Sequence, residues 1–221
     1  MRLFVPLKTA ALCAAVCLSL SAKNPPTKDA QVEAKGLAPR TAPSDYLSQT
    51  KIGTMTLAAE FNGHSVPTAV RPFTSENYVS VEIALFGPPD ARAQISVADF
   101  SLRVNGKKAP LSAEQCTVVF TSLKDPEWEP PDKEEKKSKG GISSGGSGGQ
   151  GDPPPTPAKM PIELVRAMQQ QVLKAVLPEG DRPLPQAGLL FFEFRGKTEK
   201  IKSLELVYSG PAGNATLNLQ P

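Results

Sequence analysis

The sequence has few residues of the kinds that build catalytic and metal centres. Its 221 residues include one histidine, three cysteines and one tryptophan. A zinc site needs three or four nitrogen, sulfur or carboxylate ligands, and a Ser/His/Asp relay needs a histidine held beside both of its partners. We therefore predict a protein that is not an enzyme and that holds no metal and no cofactor.

The first 21 residues have the pattern of a secretory signal peptide. Arg2 and Lys8 precede an uncharged run that ends at Leu20, and small residues stand before the expected cleavage point after Ser21. We predict an exported protein, periplasmic or secreted. Two alternatives stay open: a transmembrane anchor, which needs about 20 apolar residues, and a lipoprotein signal in which Cys17 is lipidated.

Cleavage would leave a chain with almost no net charge and one cysteine. Without Arg2 and Lys8, the 25 basic residues fall to 23 against 22 acidic residues, a net charge of +1. That balance provides no basic field for nucleic acid or for an anionic membrane. Cys116 would have no internal disulfide partner. A buried free thiol is the expected state, and a reactive thiol or a bond between two copies is the alternative.

Apolar and polar residues alternate in two parts of the chain, which is the pattern of half-buried β-strands. Asn105-Gly106 is a preferred pair for a hairpin turn. Neither part has enough strands to cover its own core, so we predict one all-β domain over 51–220, a sandwich of about seven strands. The predicted strands are 55–61, 79–85, 100–104, 116–123, 189–194, 204–208 and 215–219.

Three other segments depart from this alternation. Residues 22–50 contain few large apolar groups, which predicts a disordered tether with one capped turn near Tyr46. Residues 125–160 combine seven prolines and seven glycines with a charged run, which predicts a long disordered, flexible insert. Pro161 to Leu177 carries a helical apolar stripe and predicts a helix that packs on the sandwich.

Four strand sequences together resemble a protein family. They are Val79-Ser-Val-Glu-Ile-Ala-Leu-Phe, Asp99-Phe-Ser-Leu-Arg-Val-Asn-Gly-Lys, Gly188-Leu-Leu-Phe-Phe-Glu-Phe and Leu204-Glu-Leu-Val-Tyr. The chain resembles exported bacterial immunoglobulin-like domains, a group similar to a mycobacterial secreted immunoprotective antigen. The resemblance covers 51–123 and 187–220 and implies an immunoglobulin-like β-sandwich; it implies no particular activity.

Three short motifs resemble functional sites, and each also has a simpler structural interpretation. His64 follows Asn62-Gly63 and is interpreted as a turn residue rather than part of a relay. Arg195-Gly196-Lys197-Thr198 ends like a phosphate loop but has Phe191 where that motif needs glycine, so we predict a turn between strands. Asn214-Ala-Thr216 matches a glycosylation sequon, which we interpret as a chance match within a strand.

The sequence supports two hypotheses of function. The first is a non-enzymatic binding or scaffolding module of the bacterial envelope or exterior, monomeric, with an unknown protein or glycan partner. Trp128, among acids and prolines at the root of the insert, either covers the sandwich edge or is a candidate partner contact. The alternative is an exported hydrolase with a carboxylate-based site that draws on acids such as Glu82, Asp99 and Glu193.

Overall fold

The computed structural model describes residues 34–130 and 159–221, which all lie within one unit, Val32–Pro221. Most of the regular structure in these residues is β-strand. The predicted β-rich class is confirmed, with more and shorter strands than expected and with two helices rather than one. The strands are β1 (Ser48–Ile52), β2 (Met55–Gly63), β3 (Ser65–Val66), β4 (Phe73–Ser75), β5 (Tyr78–Phe86), β6 (Arg92–Ile95), β7 (Phe100–Val104), β8 (Leu111–Glu114), β9 (Leu123–Lys124), β10 (Gly180–Pro183), β11 (Gln186–Glu193), β12 (Leu204–Gly210) and β13 (Gly213–Leu219). The helices are α1 (Cys116–Val119) and α2 (Ile162–Ala175).

Eight strands form one antiparallel sheet in the order β1, β2, β5, β11, β8, β7, β12, β13. β8 joins the two halves of this sheet, because its first two residues pair with β7 and its last two pair with β11. β1 and β13 lie side by side, and the Ser48 hydroxyl donates to the Asn218 carbonyl oxygen at 2.6 Å. The sheet is therefore barrel-like. The immunoglobulin-like sandwich stays a prediction.

Alternation along the strands fills the interior of this sheet with apolar side chains. On β5, Val79, Val81, Ile83 and Leu85 all point into the main core. A two-stranded ribbon, β6 paired with β10, contributes two further side chains to that core. Removing this apolar surface from water is the dominant stabilising term, at roughly 25 cal/mol per Å² buried.

β11 is buried on both faces and supports an outer layer. Leu190 and Phe192 point into the main core, whereas Leu189 and Phe191 point outwards into a second apolar cluster. This two-sided burial accounts for the uninterrupted apolar run in the sequence. The second cluster is completed by α1, by the small sheet β3–β4–β9 and by three residues of α2, namely Met168, Val172 and Ala175.

The strand predicted at 116–123 is wrong, because most of this segment is helical. α1 continues into a 3-10 turn before the two-residue strand β9. Cys116 and Val119 are buried while Val118 is exposed, so burial follows a helical period. The hydroxyls of Thr121 and Ser122 each donate to the carbonyl oxygen three residues earlier at 3.0 Å. These bonds satisfy helix-end carbonyls and override the strand preference of β-branched residues.

Residues 34–50 are folded, although the sequence predicted a disordered tether over 22–50. The N–H of Leu37 donates to the carbonyl oxygen of Ala187 on β11 at 2.9 Å. Tyr46 is buried against three alanines of the sheet. It follows a 3-10 turn at Pro43–Asp45, which overlaps the turn predicted near Tyr46. The composition of the segment as a whole did not indicate that its one aromatic side chain, Tyr46, would be buried and anchor it. We call residues 34–47 the strap.

Several predicted segments lie outside the described residues. They are the signal peptide at 1–21, the part of the tether before residue 34 and the insert from 131 to 158. α2 lies within the helix predicted at 161–177 and begins directly after Pro161.

Candidate binding surface

The three acids considered for a hydrolase contact different partners. Glu82 lies on the outer face of β5, whereas Glu193 pairs with Arg195 at 2.7 Å. Asp99 lies against the hydroxyl end of Tyr208 beside Gly210. Burial raises the pKa of Asp99, and the charge of Glu179 adds to that rise. The acids chosen from the sequence therefore do not form one site.

A carboxylate pair that sequence spacing does not reveal forms around Glu82. Glu60 on β2 lies directly opposite it in the sheet. Arg40 Nη1 bonds to Glu60 Oε2 at 2.7 Å, and Nη2 lies 3.5 Å from Glu82 Oε2. The guanidinium also covers the Tyr46 ring, 4.4 Å from its centroid. Arg40 thus ties the strap to both carboxylates.

Burial raises the pKa of Glu82, the attraction of Arg40 opposes that rise, and the negative charge of Glu60 adds to it. The phenol of Tyr46 also has a raised pKa because it is buried. Glu60 and Glu82 line none of the grooves described below. With Arg40 they form a structural ion network on the outer face of the sheet.

His64 is held between two backbone carbonyls. Its Nδ1 lies 3.0 Å from the Tyr78 carbonyl oxygen, and its Nε2 lies 2.8 Å from the Gly196 carbonyl oxygen. The ring lies beside Phe194, with 6.2 Å between centroids. Both ring nitrogens therefore contact the backbone rather than a serine hydroxyl, and His64 joins the start of β5 to the loop after β11.

The Gly196-Lys197-Thr198 motif forms the connection between β11 and β12. It continues into a three-residue 3-10 turn, Thr198–Lys200, and not into the helix that a phosphate loop requires. The shallow groove beside it is lined by charges of both signs. The prediction of a turn between strands is confirmed by this backbone. The sequon residue Asn214 accepts a hydrogen bond from the Ser209 hydroxyl at 2.8 Å at the start of β13.

Cys116 is a free, buried thiol, 7% exposed at the start of α1. Burial raises its pKa and the charge of Glu179 adds to the rise. A raised pKa leaves little thiolate at neutral pH, and thiolate is the nucleophilic form. The expected buried thiol is therefore present, and its surroundings do not activate it.

An apolar groove crosses the surface where three segments meet. Its walls are Lys35–Ala38 of the strap, Thr68–Val70 of the β3–β4 loop, and Gln171, Lys174 and Ala175 of α2. Its volume is about 270 Å³, and the charged side chains that line it are two lysines. We call it the α2 groove.

The β3–β4 loop presents Val70 at this groove. The Thr68 hydroxyl accepts hydrogen bonds from the N–H groups of Val70 and Arg71, both at 3.3 Å, and donates to the Arg71 carbonyl oxygen at 2.7 Å. This local network turns the chain and leaves Val70 73% exposed. A fixed, exposed β-branched side chain at the rim of an apolar groove suits contact with a partner.

Ion pairs hold the segment of Trp128 beside the same loop. Arg71 bonds Asp125 at 2.5 Å and Glu127 at 2.9 Å. The Trp128 N–H donates to the Asp125 carbonyl oxygen at 3.2 Å, and the residue is partly exposed. We call these two ion pairs of Arg71 the clamp. Because Val70 is next to Arg71 in sequence, the clamp places the segment of Trp128 beside the loop that forms one wall of the α2 groove.

Comparison of the chain with protein-family models, with curated proteins and with solved structures finds no match. Within residues 34–130 and 159–221, no helix is long and apolar enough to cross a membrane. The same two ranges contain no group of three or more histidine, cysteine or acidic side chains placed to hold a metal ion.

Proposed function

We propose that the protein is an exported, non-enzymatic binding module of the bacterial envelope or exterior, and that its partner docks in the α2 groove. The observation that carries the proposal is the fixed exposure of Val70 at the rim of this groove. The signal-peptide pattern of residues 1–21 supports export. Trp128, on the segment clamped beside the groove, is the further candidate contact.

The partner that suits the groove is a protein segment with an apolar side chain and a nearby acidic group. Ala38, Ala69 and Val70 offer an apolar surface, and Lys35 and Lys174 provide positive charge. Opposite charges at a rim favour correct encounter, whereas the apolar contact contributes most of the binding free energy.

The carboxylate-based hydrolase remains the alternative, and one observation favours it: Glu60 and Glu82 lie side by side. Arg40 bridges both carboxylates. A glycosidase-type pair needs a cleft in which the scissile bond lies between the two acids. Neither glutamate lines the α2 groove or the groove beside Gly196. These features support the binding module over the enzyme.

An immunoglobulin-like origin for the fold is part of the proposal. β8 pairs with β7 through one end and with β11 through the other, so two packed halves share one strand. Strands that pass between sheets occur where a sandwich closes at a corner. An experimental structure in which β1 and β13 separate into opposite sheets would support the sandwich, and a continuous ladder between them would contradict it.

Crosslinking in the native envelope tests the docking surface. The Val70→Asp variant should lose roughly tenfold or more of the captured partner, because a carboxylate enters an apolar contact. Leu47→Asp is the matched control, since Leu47 is also exposed, at 57%, and does not line the groove. Both variants should keep the melting temperature of the parent. Equal loss of capture, or no loss in either, would contradict docking at this groove.

Export has its own test. N-terminal sequencing of the protein recovered outside the cytoplasm should begin at Ala22 or Lys23, because the small residues before this point suit signal peptidase. A mature chain that begins at Met1 would contradict export through this signal, and one that begins with a lipidated cysteine at Cys17 would establish the lipoprotein alternative.

A further inference from the structure

The ribbon of β6 and β10 has an unpaired edge that faces a cleft. Among residues 34–130 and 159–221, β10 is the only strand paired with β6. The cleft, of about 460 Å³, lies between β6, the turn from β1 to β2, and the turn from β12 to β13. An exposed strand edge of this kind can pair with another chain.

The register identifies the backbone groups that lie on the free edge. Leu184 N–H donates to the Ala91 carbonyl oxygen at 2.8 Å, and Arg182 lies opposite Ala93 in the same ladder. Residues of one antiparallel strand point their N–H and C=O groups alternately to the two sides. The amide and carbonyl groups of Arg92 and Gln94 therefore point away from β10, towards the cleft.

A proline protects the opposite edge of the ribbon, whereas no strand among residues 34–130 and 159–221 covers the free edge of β6. On β10, Pro183 lies opposite Arg92, at a position whose N–H would point outwards. Proline removes that donor, a common protection of edge strands. β6 has no proline between Arg92 and Ile95, so its two outward N–H groups and two outward carbonyls are available to a partner strand.

The side chains around the cleft define what such a strand would carry. Ala93 is buried towards the main core. The wall opposite β6 is lined by the apolar residues Ile52, Met55 and Ala212 together with Gly53, Thr54 and Pro211. Every second residue of an added strand would face this apolar wall. The intervening residues would lie on the solvent side beside Arg92 and Gln94. Polar side chains suit this side, because both residues are exposed and the guanidinium of Arg92 already pairs with Asp181 at 2.9 Å.

We propose that the free edge of β6 binds an extended peptide segment of a partner protein by β-strand addition, with apolar residues alternating with polar ones. Backbone hydrogen bonds to Arg92 and Gln94 would hold the segment, and the apolar wall would select its alternate side chains. This surface is separate from the α2 groove, and either could fail without the other.

Amide hydrogen exchange of the isotopically labelled protein tests this inference. The probe is an acetylated peptide that alternates valine with glutamate. The amides of Arg92 and Gln94 should exchange rapidly in the free protein. With the peptide at about ten times its Kd, their exchange should slow roughly tenfold, because protection follows the occupied fraction. The same peptide methylated on its backbone nitrogens should give no protection.

A matched pair of variants locates the effect at this edge. Gln94→Pro removes one outward N–H and no bond to β10, whereas Gln94→Thr keeps the N–H and is the control. Peptide binding should weaken about tenfold or more in Gln94→Pro, which corresponds to the loss of one backbone hydrogen bond, and should persist in Gln94→Thr. Comparable melting temperatures for the two variants would show that the ribbon is intact.

Four results would overturn the proposal. They are protection of both amides before peptide is added, protection that rises with protein concentration alone, unchanged exchange at millimolar peptide, and equal peptide binding by both Gln94 variants. The first would indicate that the chain covers its own edge, and the second would indicate pairing between two copies.

Discussion

At the scale of single residues, Arg40 connects the strap to the sheet through several contacts at once. Besides Glu60 and Glu82, it donates to the Asp45 carbonyl oxygen at 2.6 Å, and its own N–H donates to the Tyr46 hydroxyl at 3.2 Å. Like charges directly opposite each other in a sheet are destabilising. Arg40 therefore compensates a repulsion that the sheet register itself creates.

Replacing Arg40 with methionine should destabilise the protein by about 1–2 kcal/mol at neutral pH. The variant keeps an apolar stem over Tyr46 but loses the cation–π contact and leaves two carboxylates facing each other. Urea unfolding provides the measurement. Lys35→Met is a control, since it removes a strap cation that lies outside the pair. An effect no larger than that of the control would contradict the role assigned to Arg40.

The Glu82→Gln variant should alter the pH dependence of stability. Burial raises the pKa of Glu82 above the ordinary value of 4.5. A carboxyl with a raised folded-state pKa contributes stability that is present below that ordinary value and is lost as pH rises through the raised one. The variant should therefore gain stability relative to the parent between about pH 4.5 and pH 7, by less than about 1 kcal/mol because the ion pair is partly exposed.

Urea unfolding of the parent and of Glu82→Gln at about pH 4.5 and pH 7 shows whether the variant gains or loses stability relative to the parent as pH rises. Glu60→Gln is the matched control, because Glu60 is the more exposed member of the pair and has the shorter bond to Arg40. If Glu82→Gln loses stability relative to the parent as pH rises, the attraction of Arg40 outweighs burial at this site.

At the scale of elements, the path of the chain after α2 depends on a glycine in β11. The Leu177 N–H donates to the Leu189 carbonyl oxygen at 3.2 Å, so this segment runs against the strand. A Cβ on Gly188 would lie 2.4 Å from Leu177 Cα and 2.5 Å from Leu177 N. Those neighbours are backbone atoms and cannot rotate away.

Gly188→Ala should therefore destabilise the protein by about 2–3 kcal/mol through overpacking. Gly106→Ala is the control: its φ of +64° is unfavourable for alanine, but nothing lies within 4 Å of the added methyl, so only about 1 kcal/mol should be lost. Thermal unfolding would rank the two variants. A cost for Gly188→Ala equal to or below that of Gly106→Ala would contradict the close crossing of β11 and Leu177.

Longer elements with a regular apolar period were predictable from sequence, α2 among them, whereas the short or irregular elements were not. β2, β5 and β12 alternate cleanly, so their periods identify them. The segment after Cys116 has the β-branched residues of a strand, yet its hydroxyls and its packing in the second apolar cluster select a helix. The two-residue strands β3 and β9 are too short for any period and exist only through their pairing with β4.

The candidate surfaces were less predictable than the fold because each depends on register or on a distant contact. Glu60 and Glu82 are 22 positions apart in sequence and meet only through the pairing of β2 with β5. The outward direction of the Gln94 amide depends on which residue of β10 lies opposite. No sequence pattern predicts that Val70 is exposed beside the α2 groove. The clamp of Arg71 on Asp125 likewise depends on the tertiary fold.

At the scale of the whole molecule, strands from both sides of the insert interleave in one sheet. β5, before the insert, pairs with β11, after it, over eight residues, and β7 pairs with β12 over five. Neither side can complete the main core alone. The insert must therefore connect two parts of one cooperative unit, and its described ends are held, on one side by the Arg71–Asp125 pair and on the other by α2.

Shortening the predicted flexible middle of the insert, 133–151, to a few glycine and serine residues should change stability little. Loop-closure entropy grows only logarithmically with length, so the expected shift is roughly 1 kcal/mol in the stabilising direction. A scrambled segment of unchanged length is the control and should show no shift. Trp128, Arg71 and α2 lie outside the cut, so the α2 groove should survive, and capture of a partner should persist if the segment only connects the two parts. Urea unfolding that becomes broad or loses cooperativity in the shortened chain, while the scrambled control stays cooperative, would mean that this segment spans a distance or makes contacts that a short linker cannot replace.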